Sequence, residues 1–152
     1  MKILVVDDNE PLHFLIAVWV ARAAGFDLNF ATNGDEALRC YAKRGPYDVV
    51  LTDIVHPGLD GLALSKAIRR KNPRQPIAIF TGGMSDSAVR SFQRLNIPVL
   101  LKPHADWQEL SRLLKAAMTI KKKKKTATSR RLRRRKTKRR GEIALCQNDA
   151  KS

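Results

Sequence analysis

Four short apolar runs, each followed at once by a polar residue, constrain the fold of this chain more than any other feature. The runs span residues 3–6, 49–51, 77–80 and 99–101, and a fifth, shorter run covers 28–31. Segments with helical spacing separate them. Because consecutive parallel strands need a long crossover, which is usually a helix, this alternation predicts a parallel sheet covered by helices.

The helical segments complete the expected architecture. In the first of them, the spacing predicts a main apolar face made of Leu12, Leu15, Ile16, Trp19, Val20 and Ala23. A similar pattern over residues 106–118 predicts the last helix. The sequence thus predicts five strands alternating with five helices, which is an α/β fold. We expect a flavodoxin-like, doubly wound sheet with strand order 2-1-3-4-5.

The polar residues at the strand ends form the candidate site. Asp7 and Asp8 follow the first strand, Asp53 follows the third, Thr81 the fourth and Lys102 the fifth. In a parallel sheet the carboxyl ends of all strands lie at one edge, where open α/β sheets bind ligands. We therefore expect three carboxylates, one hydroxyl and one ammonium group to meet at this edge.

This set of groups suits a divalent cation and a phosphoryl group. Mg²⁺ prefers oxygen ligands and needs only one or two carboxylates, whereas three carboxylates without a cation would repel one another. A carboxylate can also attack phosphorus and form an aspartyl phosphate. Lys102 would then neutralise the charge that develops during transfer, and Thr81 would donate a hydrogen bond to a phosphoryl oxygen.

The end of the chain differs sharply in composition from the rest. Residues 1–118 carry 15 Lys+Arg and 12 Asp+Glu, a net charge of +3, whereas residues 119–152 carry 15 and 2, a net charge of +13. Such dense like charge cannot bury a core, so we predict one domain over 1–118 and a disordered basic tail over 119–152. The tail has 14 Lys+Arg within residues 121–140, which suit non-specific binding of nucleic acid or another polyanion, or solvation without a dedicated partner.

The remaining composition favours a cytoplasmic protein. Cys40 and Cys146 have no metal-ligand spacing, so we expect two reduced thiols. The apolar stretch over residues 14–21 is too short to span a bilayer. The N-terminus has neither a basic region nor a small-residue cleavage site, so we predict no signal peptide.

In these residues the chain resembles the receiver domain of response regulators in two-component phosphorelay signalling. The resemblance covers roughly residues 1–118 and rests on Asp7-Asp8, on Asp53 within the segment 53–61, on Thr81, and on Lys102 with the proline that follows it. These elements agree in order, and each falls at a predicted strand end. The resemblance implies a single-domain response regulator that catalyses only its own phosphotransfer and dephosphorylation.

The resemblance also implies a role for each acidic residue. Asp53 would accept the phosphoryl group from a phosphohistidine on a sensor histidine kinase or a histidine phosphotransfer protein. Asp8 would bind Mg²⁺ directly and Asp7 would assist through a water molecule. Asp53 and the backbone carbonyl of Val55 would complete the metal site.

The same resemblance assigns the cation and the hydroxyl. Lys102 would pair with the phosphoryl oxygens, oriented by a cis bond to the following proline. Thr81 would couple phosphorylation to the surface formed by the fourth helix and the fifth strand. Three residues depart from the family pattern: Val99 stands where many receivers have an aromatic residue, His56 where Met is common and His104 where Phe is common. The departures leave the acceptor site intact, but with Val99 the output would rely on backbone shifts rather than on an aromatic rotamer.

Phe14 and Val18 lie four residues apart on the first helix, off its main apolar face. They form either a docking patch for the phosphodonor, as the resemblance implies, or scattered surface apolar residues. The three histidines (His13, His56 and His104) have no metal-ligand spacing, so we expect no catalytic or metal-binding role for them.

Other interpretations fit parts of the sequence. A receiver-like adaptor that works without phosphorylation would hold nucleic acid or another polyanion through its tail. A phosphatase resembling the haloacid dehalogenases would need Asp-x-Asp after strand one, whereas residues 7–10 are Asp-Asp-Asn-Glu. The acidic cluster would also fit a purely structural role, or a receiver fold that has lost phosphotransfer. Dependence on magnesium separates the adaptor from the phosphorylated regulator.

Overall fold

The computed structural model describes residues 1–21, 25–102 and 106–119. The predicted disorder of the basic tail, the predicted cis bond after Lys102 and the position of His104 lie outside these residues. Within the described part of the chain, no helix is both long and apolar enough to cross a membrane.

Strands and helices alternate along the chain, as the apolar runs predict. The elements are β1 (Lys2–Val6), α1 (Glu10–Ala21), β2 (Asp27–Ala31), α2 (Gly34–Arg44), β3 (Val49–Thr52), α3 (Gly61–Lys71), β4 (Ile77–Thr81), α4 (Asp86–Arg94) and β5 (Val99–Leu101), followed by α5 over residues 107–119. Helices α2, α3 and α4 begin with capping side chains, since Asn33, Asp60 and Ser85 each accept a hydrogen bond from a backbone amide of the first turn.

The five strands are all parallel and lie in the order 2-1-3-4-5, which confirms the predicted flavodoxin-like topology. Strands β1 and β3 are neighbours near the centre of the sheet, with Val6 paired to Thr52. Since each strand is followed directly by a site residue, Asp7 and Asp53 emerge side by side at the carboxyl edge.

Helices cover both faces of the sheet. One apolar cluster joins the sheet to α2, α3 and α4 through Ala37, Tyr41, Leu64, Ile68 and Phe92. The other joins it to α1 and α5 through Ile16, Val20, Leu110, Leu113, Leu114 and Ala117, with the two Trp side chains partly buried against it. Burial of these apolar surfaces on both faces is the main stabilising contribution to such a fold.

One residue of the predicted α1 face is misplaced. Leu15 was expected to point inward but is 40% exposed, beside Phe14 at 73% and Val18 at 37%. Helix α1 is apolar over most of its circumference, with the sequence EPLHFLIAVWVA, so spacing alone does not define which side faces the sheet. The result is an exposed apolar patch of three residues, which we call the α1 patch.

A buried polar network lies at the opposite edge of the sheet from the site, where the strands begin. The Tyr41 hydroxyl donates to Gln75 Oε1 at 2.9 Å, and Gln75 Nε2 donates to the Tyr47 carbonyl at 2.9 Å. The Tyr47 hydroxyl and Arg44 Nη1 donate to Asn29 Oδ1 at 3.1 and 3.0 Å. The network therefore connects α2 with the middle of β2 and with the residues that lead into β3 and β4.

Candidate functional site

Three of the predicted site residues meet at the carboxyl edge of the sheet. Lys102 Nζ lies 2.7 Å from Asp7 Oδ2 and 2.5 Å from Asp53 Oδ2, so one ammonium group bridges two carboxylates. The Asp53 amide donates to the Val6 carbonyl at 2.9 Å, which continues the β1–β3 pairing by one residue. The sheet thus fixes the positions of both aspartates, while the long Lys102 side chain reaches across from β5.

Burial and hydrogen bonding act in opposite directions on the charges of this site. Desolvation raises the pKa of Asp53, but hydrogen bonds from Lys102 and from nearby groups outweigh it, so the pKa of Asp53 lies below its ordinary value. Desolvation lowers the pKa of Lys102, yet its bonds to Asp53 and Asp7 outweigh this, so the pKa of Lys102 is raised. Both groups are therefore charged at neutral pH, and Asp53 is available as a carboxylate nucleophile.

Local backbone contacts hold Asp53 in place. The Ile54 amide donates to Asp53 Oδ1 at 2.5 Å, and the Thr52 hydroxyl donates to the Asp53 carbonyl at 2.8 Å. Gly61, the first residue of α3, packs directly on the same carbonyl, so that a Cβ at Gly61 would overlap it. The Gly61 amide also donates to the Ile54 carbonyl at 2.9 Å.

Gly61 and Thr52 were not identified from the sequence as supports of Asp53. In the sequence, Gly61 is only the last residue of the segment 53–61. No spacing rule indicates which glycine packs directly against another part of the backbone. His56 is a further support: it is buried, and its Nε2 lies 3.3 Å from the Thr52 hydroxyl. The histidine therefore packs beneath the acceptor loop.

Thr81 lies beside Asp53 and contributes to the lowered pKa of that carboxyl, whereas the side chains of Asp8 and Val55 lie at the same edge but outside the Lys102 cluster. The Asp8 side chain is exposed. Thr81 is buried, and its hydroxyl donates to the Gly83 carbonyl at 3.0 Å. The Val55 side chain is 74% exposed, and the Val55 amide lies 3.4 Å from Asp53 Oδ1.

The donor set fits a small divalent cation, although no ready-made cage is present. Among the described residues, no three His, Cys, Asp or Glu side chains converge as ligands. Mg²⁺ does not need such a cage, because it keeps several waters and binds through one or two carboxylates. Asp7, Asp8 and Asp53 carry three negative charges against the single positive charge of Lys102, which leaves a net demand for two positive charges at this edge.

Comparisons with known proteins agree with the geometry. A model of the response regulator receiver domain matches residues 3–115. The DNA-binding transcriptional regulator NtrC of Salmonella typhimurium is 36% identical over 116 residues, which cover 76% of this chain and 24% of NtrC. A protein-glutamate methylesterase/protein-glutamine glutaminase of Hahella chejuensis is 36% identical over 129 residues, which cover 79% of this chain and 36% of that protein. The chain thus spans less than half the length of either relative.

A solved structure shows the same fold. The response regulator receiver domain protein from Clostridium thermocellum matches with a TM-score of 0.70 and 29% identity, over 80% of this chain and 96% of that one. The family match covers β1 from its second residue, the other four strands completely, and Asp7, Asp53 and Lys102. The chain therefore belongs to the response regulator receiver domain family of two-component signalling systems.

Proposed function

We propose that Asp53 accepts a phosphoryl group from a phosphohistidine on a partner histidine kinase or histidine phosphotransfer protein. The observation that carries this proposal is the Asp53 carboxylate, held 2.5 Å from Lys102 Nζ at the carboxyl edge of the sheet. The lowered pKa of Asp53 supports it, because only the ionised carboxylate is a nucleophile.

In the proposed transfer, a carboxylate oxygen of Asp53 attacks the phosphorus and the P–N bond to the imidazole breaks. The imidazole leaves with the bonding electron pair and takes up a proton. Lys102 then moves from Asp53 Oδ2 to a phosphoryl oxygen, so its charge stabilises the group that develops negative charge. In the separate hydrolysis step, water attacks the phosphorus, the bond from phosphorus to the Asp53 oxygen breaks, and the carboxylate leaves, which releases inorganic phosphate.

Asp7, Asp8, Asp53 and the backbone carbonyl of Val55 would hold Mg²⁺. Bound there, the metal would neutralise charge on the phosphoryl oxygens during transfer. Asp7 is already fixed, since its Oδ1 accepts the Asn9 amide at 2.9 Å and its Oδ2 pairs with Lys102. The exposed Asp8 is free to turn towards the cation from the solvent side.

Thr81 would couple phosphorylation of Asp53 to a change at the surface of the domain. Its hydroxyl donates to the Gly83 carbonyl, two residues before the Ser85 cap of α4. We propose that the hydroxyl exchanges this bond for one to a phosphoryl oxygen, which would release the loop before α4 and alter the surface of α4 and β5. Since Val99 is aliphatic, this change would travel through the backbone.

We propose that residues 1–118 form the receiver domain, that residues 119–152 form a basic tail, and that the receiver catalyses only its own phosphorylation and dephosphorylation. The alternative is an adaptor that binds nucleic acid or another polyanion through residues 121–140 and needs no phosphorylation. The 14 cations of that segment favour it. Magnesium dependence separates the two, because polyanion binding by cations requires no metal.

The decisive experiment is intact mass spectrometry after incubation with acetyl phosphate and Mg²⁺. The expected result is a mass increase of one phosphoryl group, absent without Mg²⁺ and absent in Asp53→Asn. The matched control is Asp86→Asn, which removes an exposed carboxylate from the first turn of α4 and should leave the modification unchanged. A phosphoryl group on the Asp53→Asn protein, or none on the parent chain, would refute the proposed acceptor.

A further inference from the structure

The charges of the receiver domain are divided unevenly along the sequence. Residues 1–60 carry five Lys+Arg and nine Asp+Glu, a net charge of −4. Residues 61–105 carry eight Lys+Arg and a single acid, Asp86, for a net charge of +7. The second segment contains α3, β4, α4 and β5, so the cations belong to one half of the sheet and its covering helices.

Two of these eight cations have internal partners. Arg69 Nη1 donates to the Leu95 carbonyl, and Lys102 pairs with Asp7 and Asp53. The other six are exposed, and none forms an ion pair with any described residue. We call them the α3–α4 cationic face: Lys66, Arg70, Lys71, Arg74, Arg90 and Arg94.

The helices arrange four of these cations in two rows. Lys66 and Arg70 are four residues apart on α3, and Arg90 and Arg94 are four apart on α4, so each pair projects from one side of its helix. Both helices pack on the same face of the sheet. The bond from Arg69 to the Leu95 carbonyl joins the residues adjacent to Arg70 and Arg94, so the two rows are neighbours.

Helix stability does not account for this pattern. Cations in the last turn of a helix interact favourably with its dipole, which covers Arg70 and Arg94. Lys66 and Arg90 lie one turn earlier, where a like charge four residues away is unfavourable. Local helix stability therefore gives no reason for the positive charges of Lys66 and Arg90.

We propose that the α3–α4 cationic face binds the phosphate backbone of double-stranded nucleic acid without reading its sequence. Arg makes up four of the six cations, and its planar guanidinium suits phosphate oxygens. A membrane surface fits less well, because the large exposed apolar side chains among the described residues lie outside α3 and α4. The two helices also expose no aromatic ring on which unpaired bases would stack.

The six cations of this face belong to residues 66–94, outside the basic tail. The test uses the full chain, so that the tail contributes equally to every protein compared. One variant carries Lys66→Gln, Arg70→Gln, Arg90→Gln and Arg94→Gln. The matched control removes four exposed cations from α2 and α5 through the changes Arg39→Gln, Lys43→Gln, Arg112→Gln and Lys115→Gln.

Binding is measured by fluorescence anisotropy with a 20-base-pair DNA of arbitrary sequence over a series of salt concentrations. Each lost phosphate contact should reduce the slope of log Kobs against log salt by about 0.9. We expect the face variant to lose about 3 to 4 in slope and the control variant less than about 1. Circular dichroism and thermal unfolding should match the parent for both variants, because none of the eight side chains has a recorded hydrogen bond.

Two results would overturn the proposal. If both variants change the slope equally, the effect is one of net charge, and if the face variant leaves it unchanged, binding belongs to the tail alone. Vesicles containing phosphatidylglycerol provide the competing surface: loss of vesicle binding with intact DNA binding in the face variant would assign the α3–α4 cationic face to a membrane instead.

Discussion

Replacing Gly61 with alanine adds only one methyl group, but we expect it to destabilise the fold and to displace Asp53. The new Cβ would overlap the carbonyl oxygen of Asp53 and lie 3.0 Å from both the Asp53 carbonyl carbon and the Ile54 Cα. Comfortable carbon contacts lie at about 3.5–4.0 Å, so α3 and the acceptor loop must separate by roughly 1 Å. Because all these atoms belong to the backbone, no side-chain rotation relieves the overlap.

The size of the effect follows from the contacts that this shift breaks. Overpacking typically costs about 1–3 kcal/mol, and the weakened bond from the Gly61 amide to the Ile54 carbonyl adds about 1 kcal/mol. Alanine has a higher helix propensity than glycine, which offsets up to about 1 kcal/mol of this loss. We therefore expect the free energy of unfolding to fall by about 2 kcal/mol, and the rate of Asp53 phosphorylation to fall by about 10²-fold through misplacement of its carboxylate.

Urea unfolding followed by circular dichroism measures the stability change, and mass spectrometry with acetyl phosphate measures the rate on the folded fraction. Gly82→Ala is the matched control for stability, because a Cβ at Gly82 meets nothing within 4 Å. The control should unfold within about 0.5 kcal/mol of the parent. A Gly61→Ala protein as stable as this control would refute the account of the close approach.

The remaining predictions concern charge and docking. Because the pKa of Asp53 is lowered and that of Lys102 raised, their stabilising effect should be present above the ordinary carboxyl pKa of 3.8 and below the ordinary ammonium pKa of 10.5. The stabilisation should be lost as pH falls through the folded pKa of Asp53 or rises through that of Lys102, and Lys102→Met should flatten both limbs in urea unfolding. Phe14→Asp combined with Val18→Asp should slow phosphotransfer from the partner protein by about tenfold or more, while the rate with acetyl phosphate stays at the parental value.

Each of these predictions has its own contradicting outcome. A Lys102→Met protein with the parental dependence of stability on pH would show that the bridged aspartates do not carry the effect. For the α1 patch, Ala116→Asp places a charge on exposed α5 and should leave both phosphodonors unaffected. Equal loss with the partner and with acetyl phosphate would mean that the α1 changes damage the acceptor rather than a docking surface.

The sheet was predictable because the same sequence pattern recurs at every strand. Each apolar run ends in a polar residue, and the right-handed crossovers that parallel strands require leave few strand orders, so β1 to β5 and their order follow from the sequence. The same logic placed Asp7, Asp53 and Lys102 at one edge. The ion pairs were not predictable in the same way, because the position of Lys102 after β5 does not show that its ammonium group bridges Asp7 and Asp53.

Three other features could not be predicted, because they depend on how the helices pack and not on the sequence pattern of any one element. Leu15 has helical spacing but faces solvent, because α1 is apolar on more than one side. Gly61 can pack against Asp53 because it has no Cβ. The Asp53 carbonyl that a Cβ would overlap lies eight residues earlier in the sequence. The α3–α4 cationic face also needed the structure, since only the packing of two helices brings its two rows together.

The buried polar network where the strands begin has a consequence for how the chain finds its correct pairing. If β2 slipped by one residue along β1, Asn29 would leave the Tyr47 hydroxyl and the Arg44 guanidinium, and buried polar atoms would lose their partners. Apolar contacts tolerate such a slip far better, because they have no directional requirement. The network therefore favours one alignment of β2 with the segment that leads into β3, whereas the adjacent positions of Asp7 and Asp53 come from the separate pairing of β1 with β3.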